Sequence, residues 1–184
     1  MLWGRADLLR DLYAYKVRPL KEELPWRWEH GTPQIELQAG LSATVAYLDW
    51  LGAEVGHADT LRARLADAWS ASTAWEAELA KTLIAGLRAI PGVTIHGITN
   101  PNRIAFRVPT VSFTHATVPP DQIARSLAEQ GICVWSGNNY ALEVVRALGL
   151  DEEVGVLRIG LAHYNTPTEV GTIVAAVQRS LDRN

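Results

Sequence analysis

One cysteine, Cys133, occurs in 184 residues, so no internal disulfide can form and a reducing, cytoplasmic setting is expected. Lysine is nearly as scarce, with only Lys16, Lys21 and Lys81. No apolar run approaches the roughly 20 residues that a membrane-spanning helix needs, and no basic, apolar leader with a small-residue cleavage site opens the chain. The formal net charge of −3 gives no general attraction to nucleic acid or to an anionic membrane, and neither is expected as a partner. The histidines (His30, His57, His96, His115 and His163) do not fall at metal-ligand spacings. No cysteine or acidic cluster completes a set, so no metal site is expected. Internal repeats and low-complexity tracts are also missing.

What is present suits a globular chain. Forty-eight per cent of residues are hydrophobic and 20% are charged, enough apolar material for a packed core. Tryptophan is abundant at seven residues, and Trp3, Trp26, Trp28 and Trp50 cluster near the start. They read as a surface that packs on another domain or subunit more readily than as a ligand cage.

Spacing along the chain predicts its elements. Leu8, Leu9 and Leu12 have helical spacing over residues 5–13, and Pro19 and Pro25 keep the following polar stretch extended. Thr32-Pro33 reads as a helix start, with threonine at the cap and proline at the first helical position. Leu37, Leu41, Val45, Leu48 and Leu51 then form one stripe, with Gly52 as a plausible stop. A longer helix is predicted from Thr60 to Ile90, ended by Pro91-Gly92. The period next changes to two: Val93–His96, Val111–His115, Ile132–Trp135 and Val156–Leu161 read as strands. Helices are expected from Pro119-Pro120 to before Gly131, over Asn138–Leu148, and from Thr166-Pro167 to the end. The fold class is therefore α/β, more narrowly an α+β arrangement: long helices, then a small, mostly antiparallel sheet with helices on one face. Residues 1–56 are expected to form one region and residues 57–184 a small α+β domain.

Three stretches carry a family resemblance. Tyr15-Lys16-Val17-Arg18-Pro19, Trp28-Glu29-His30-Gly31-Thr32-Pro33 and Leu157-Arg158-Ile159-Gly160-Leu161-Ala162-His163-Tyr164-Asn165-Thr166 stand in an order and spacing that resembles class V aminotransferases, enzymes of pyridoxal 5'-phosphate and fold type I. Val134-Trp135-Ser136-Gly137-Asn138-Asn139-Tyr140 resembles the substrate-facing loop of a cysteine-desulfurase-like subgroup. The resemblance covers the whole chain. It implies the carboxy-terminal part of such an enzyme, with residues 1–56 a remnant of the large domain and its connecting helix. It further implies a cytoplasmic homodimer and a small-molecule amino acid, or related amine, as substrate. In the resembling enzymes the lysine that holds the cofactor lies just upstream of a segment like Leu2-Trp3-Gly4-Arg5, so this chain is expected to lack it and to be inactive alone. The aspartate facing the pyridine nitrogen and the aromatic residue on the ring are expected to be missing too. The rival readings are a non-catalytic module for subunit association and a plain α+β binding domain.

By resemblance, Gly31 and Thr32, with His30 beside them, reach the phosphate of the cofactor in the neighbouring subunit. A helix start offers free amides, a positive dipole end and here a hydroxyl; plain capping explains the same threonine. Arg158 corresponds by resemblance to the clamp on the substrate carboxylate, a role that suits a planar, bidentate fork. Its residue-level alternative is a salt-bridged or solvated arginine at a sheet edge. Asn138 and Tyr140, with Asn139, fall in the substrate-facing loop, where the asparagines also fit a simple turn. True cysteine desulfurases carry their persulfide-forming cysteine at or near this loop. Tyr140 stands there instead, and Cys133 reads as a buried thiol in a strand. Transamination, racemisation or β-elimination is thus expected ahead of desulfuration through a persulfide.

Overall fold

The computed structural model describes residues 3–182, so Leu2 of the opening segment lies outside the described residues. The chain divides into two compact units, residues 1–50 and 51–184.

In the first unit, helix α1 (Ala6–Asp11) is followed by an irregular stretch and a short 3-10 turn at Trp26–Trp28. That turn holds the end of α1 through side chains. Arg27 donates to the carbonyls of Arg10 (2.6 Å) and Leu12 (2.8 Å), and the Trp28 indole N–H donates to that of Leu9 (3.0 Å). These bonds satisfy carbonyls that a short helix leaves without partners. Helix α2 (Ile35–Val55) begins in this unit. Its start differs from the expectation of Thr32 as cap. The amide of Ile35 donates to Pro33 O (2.9 Å), and the first helical bond runs from Gln38 to Gln34 O (3.0 Å). A tight turn thus separates Thr32 from the helix and leaves Gln34 at the cap position.

The second unit contains helix α3 (Leu61–Arg88), strands β1 (Val93–His96) and β2 (Thr110–His115), helix α4 (Pro120–Ala128), strand β3 (Trp135–Gly137), helix α5 (Leu142–Ala147), strand β4 (Val156–Gly160) and helix α6 (Pro167–Asp182). The Thr60 hydroxyl caps α3 by accepting from the amide of Ala63. Thr166 and Glu169 cap α6 reciprocally: the Glu169 carboxylate accepts from Thr166 N (2.7 Å) and the Thr166 hydroxyl from Glu169 N (3.2 Å). Those bonds from Thr166 hold the Glu169 carboxyl below its ordinary range. Among the described residues no helix is long and apolar enough to cross a membrane.

The sheet has the order β1-β2-β4-β3 and every neighbouring pair is antiparallel. One face is the core. Val111, Phe113, Leu157 and Ile159 from the sheet meet Leu79, Leu83 and Leu87 of α3, Ile123 and Leu127 of α4, and Val170 and Val177 of α6, all buried. Each such side chain contributes about 1.5–3 kcal/mol when fully buried, so this face fixes the sheet's register. The helices follow the strands' apolar alternation, and the polar alternates are left on the other face.

Three further boundaries and the exposure of one residue differ from the sequence reading. Gly52 does not stop α2. It is buried where the helix passes α3, and a Cβ there would lie 1.9 Å from Arg64 O, so glycine permits a close crossing. The strand expected at Ile132–Trp135 is displaced to Trp135–Gly137, because Ile132 N is committed to Leu127 O (3.0 Å) in closing α4. Helix α5 starts at Leu142, not Asn138: Asn139 and Tyr140 adopt left-handed φ values of 54° and 58° that no right-handed helix accommodates. Cys133, finally, is exposed and not buried. Ile132 and Val134 turn inward against the core, and alternation turns Cys133 and Trp135 outward.

Candidate functional site

The face of the sheet opposite the core carries one row drawn from all four strands. His96 on β1 pairs with Ser112 on β2, Ser112 with Arg158 on β4, and Arg158 with Trp135 on β3. Directly opposed residues of antiparallel strands have Cβ atoms about 4.5–5.5 Å apart and share a face. Arg158 therefore lies on an interior strand with a neighbour on each side, and the expected sheet-edge alternative is corrected. It is exposed, and among the described residues its guanidinium has no hydrogen-bond, ion-pair or ring partner. An arginine flanked by Ser112 and Trp135 has its five donors available to an outside acceptor.

His96, at the far end of the row, is half-buried, and its Nε2 lies 3.0 Å from the Thr114 hydroxyl. Burial lowers its pKa from the ordinary 6.5, because desolvation disfavours the charged ring. The bond to Thr114 directs that nitrogen away from Ser112, so the pair is not arranged as a nucleophile with its base.

Beyond β3 the chain turns sharply at residues 137–141. The Asn138 carboxamide oxygen accepts from Tyr140 N (3.0 Å), and its Nδ2 donates to Glu152 O (3.3 Å). Asn139 Nδ2 donates to Gly137 O (2.9 Å), and Ala141 N donates to Asn138 O (2.9 Å). Both asparagines thus serve the turn, and Tyr140 projects from it 98% exposed. The support beneath is the turn before β4. Arg146 bridges Glu143 and Glu152, and its pKa is raised, chiefly by Glu152. Gly155 packs on the Gly137–Asn138 peptide so closely that a Cβ would meet Gly137 C and O at 2.1 Å. Two left-handed non-glycine residues held by that many bonds constitute a preorganised loop.

The residues singled out from the sequence therefore divide. Arg158, Asn138 and Tyr140 are brought to one sheet and its adjoining turn. His30, Gly31 and Thr32 belong to the first unit, all exposed, before α2. Gly31 has open space where a Cβ would project. The first turn of the 21-residue helix α2 leaves amides without intrahelical partners, and the tight turn at Pro33–Ile35 separates Thr32 from them. Sequence reasoning passed over Ser112 and Trp135. Their alternation with buried neighbours was legible; the register that sets them beside Arg158 was not.

The family model described as Aminotransferase class-V matches residues 12–173, the greater part of the chain. The chain belongs to the class-V aminotransferases. Among curated members of that family, it is 34% identical over 158 residues to "Probable cysteine desulfurase 2" of Mycobacterium leprae, covering 86% of this chain and 32% of that one. Among solved structures it is similar to an apo cysteine desulfurase from Thermococcus onnurineus NA1, with TM-score 0.67, 26% identity, and coverage of 87% of this chain and 34% of that one. It is also similar to the Escherichia coli cysteine desulfurase CsdA in an S-sulfonic acid form, with TM-score 0.64, 28% identity, and coverage of 86% and 33%. These neighbours agree with the α/β architecture, an antiparallel four-stranded sheet with helices, of a fold type I member. The class-V chain thus spans about a third of the length of the relatives that it matches.

Proposed function

We propose that this chain is the carboxy-terminal part of a pyridoxal-phosphate enzyme that acts on an amino acid or related amine, with Arg158 holding the substrate carboxylate. The observation that carries the reading is the unpartnered Arg158 on an interior strand of the open sheet face. A carboxylate matches the planar fork of an arginine whose donors lie open between a serine and a tryptophan.

In this reading residues 1–56 belong with the rest of the large domain, residues 57–184 form the small domain, and the enzyme is a cytoplasmic homodimer. Gly31 and Thr32, with His30 beside them, hold the cofactor phosphate of the neighbouring subunit through amides and a hydroxyl. Pyridoxal phosphate, when bound, supplies an electron sink for bond breaking at the substrate's α-carbon. The chain's own residues orient the substrate. Arg158 fixes the carboxylate, and Tyr140, on its pinned turn, covers the site and limits water. Asn138 acts through the turn by holding Tyr140. None of Lys16, Lys21 and Lys81 supplies the cofactor lysine. Lys16 is ion-paired with Glu22 (2.8 Å) and Lys81 with Glu78 (2.6 Å), while Lys21 lies over the Trp26 ring. That lysine belongs to the remaining part of the enzyme.

The turn offers no thiol, so the reaction is transamination, racemisation or elimination rather than desulfuration through a persulfide on this loop. Because Cys133 is exposed, Cys133→Ser is the control in any assay of sulfide release. The whole reading is tested by expressing the chain joined to the reading frame that precedes Met1 and following amino-acid turnover with added cofactor. Turnover is expected. A folded, associated protein without turnover would instead favour the reading as a module for subunit association, which the exposed Leu37, Leu41, Val45 and Trp50 of α2 support.

A further inference from the structure

We infer that Trp135 selects the substrate's side chain: the Arg158 site takes carboxylates that carry an apolar or aromatic group in preference to small or polar ones. The inference rests on the reading of Arg158 as a carboxylate clamp and adds the substrate class. Trp135 stands directly opposite Arg158 across the β3–β4 pair, on the same face. It is 55% exposed at the start of β3, although the preceding Ile132 and Val134 pack inward. Arg158 makes no ring contact with it among the described residues, so the indole face is not consumed in stacking on the guanidinium. On the other side of Arg158 the position belongs to Ser112, small, polar and half-buried. A ligand anchored by its carboxylate therefore has two unequal walls. One offers a hydroxyl, and the other a broad, rigid apolar surface with a single N–H donor. An apolar side chain gains most from that wall, since a polar one would lose hydration there for at most the single indole donor.

Removing roughly 55 Å² of apolar surface from water corresponds to about a tenfold gain in affinity. The experiment titrates the 184-residue chain with acetate and with 3-phenylpropionate. It follows the Trp135 indole N–H and the Arg158 Nε–H by nuclear magnetic resonance in the wild type, Trp135→Ala, Trp135→Gln and Arg158→Ala. Phenylpropionate is expected to bind about tenfold more tightly than acetate, and both Trp135 variants are expected to lose that preference while keeping acetate affinity. Arg158→Ala should weaken both probes. Equal affinity of the two probes in the wild type, or a preference that survives in both Trp135 variants, overturns the inference and leaves the carboxylate clamp standing. Binding of both probes undiminished in Arg158→Ala overturns the clamp itself, and the inference with it.

Discussion

Gly155→Ala is the most informative single perturbation of the scaffold, because it separates two physical effects at one position. Gly155 has φ of +62°, and a Cβ would lie 2.1 Å from Gly137 C and O and 2.5 Å from Asn138 N. The left-handed backbone costs an alanine roughly 1–2 kcal/mol. The backbone clash cannot be relieved by a rotamer change, so β3 or the turn must move, at about 1–3 kcal/mol. Together these predict a loss of roughly 2–5 kcal/mol. Gly149 supplies the control: its φ is +70°, and nothing lies within 4 Å of its Cβ position. Gly149→Ala should therefore lose only the first increment. Urea unfolding gives both differences, and amide shifts at Asn138 and Tyr140 report whether the loop has moved. If Gly155→Ala costs no more than Gly149→Ala and leaves those shifts in place, the tight seat of the loop on Gly155 is wrong.

Three other outcomes are expected. Incubation of the chain with pyridoxal phosphate and borohydride should not label one lysine stoichiometrically, because Lys16 and Lys81 are already ion-paired and Lys21 lies over the Trp26 ring; mass spectrometry showing a single fully labelled site would refute this. Burial holds the folded pKa of His96 below 6.5, so its stability contribution is full above 6.5 and is lost as pH falls toward the folded value. The urea midpoint should drop between pH 7.5 and 5, and less so in His96→Gln. Cys133, being exposed, should react with a thiol reagent in the native chain as fast as in urea; strong native protection would contradict its placement.

Much of this fold is written in periodicity. Val111 and Phe113, Leu157 and Ile159 alternate with Ser112 and Arg158, and burial of the apolar set fixes the strands. Helices α3, α4 and α6 lie close to the spans that their apolar stripes and caps predict. What failed were boundaries set by tertiary contacts. Gly52 reads as a stop until α3 is seen to pass within touching distance. The helix expected over Asn138–Leu148 loses its first residues because three side-chain hydrogen bonds hold Asn138–Ala141 as a turn. The candidate site was half legible. The motif around Arg158 marked the residue, but its neighbours Ser112 and Trp135 depend on register between strands distant in sequence, which no local pattern encodes.

The central claim is that Arg158 holds a carboxylate, and steady-state kinetics of the restored enzyme test it most directly. A charge-assisted pair is worth about 1.5–3 kcal/mol, so Arg158→Ala should raise KM for a carboxylate-bearing amine by about one to two decades. Arg158→Lys should be nearly as damaging, since an ammonium replaces the fork with a point charge. Unchanged kinetics in Arg158→Ala would contradict the account and return Arg158 to the status of a solvated cation on an open sheet.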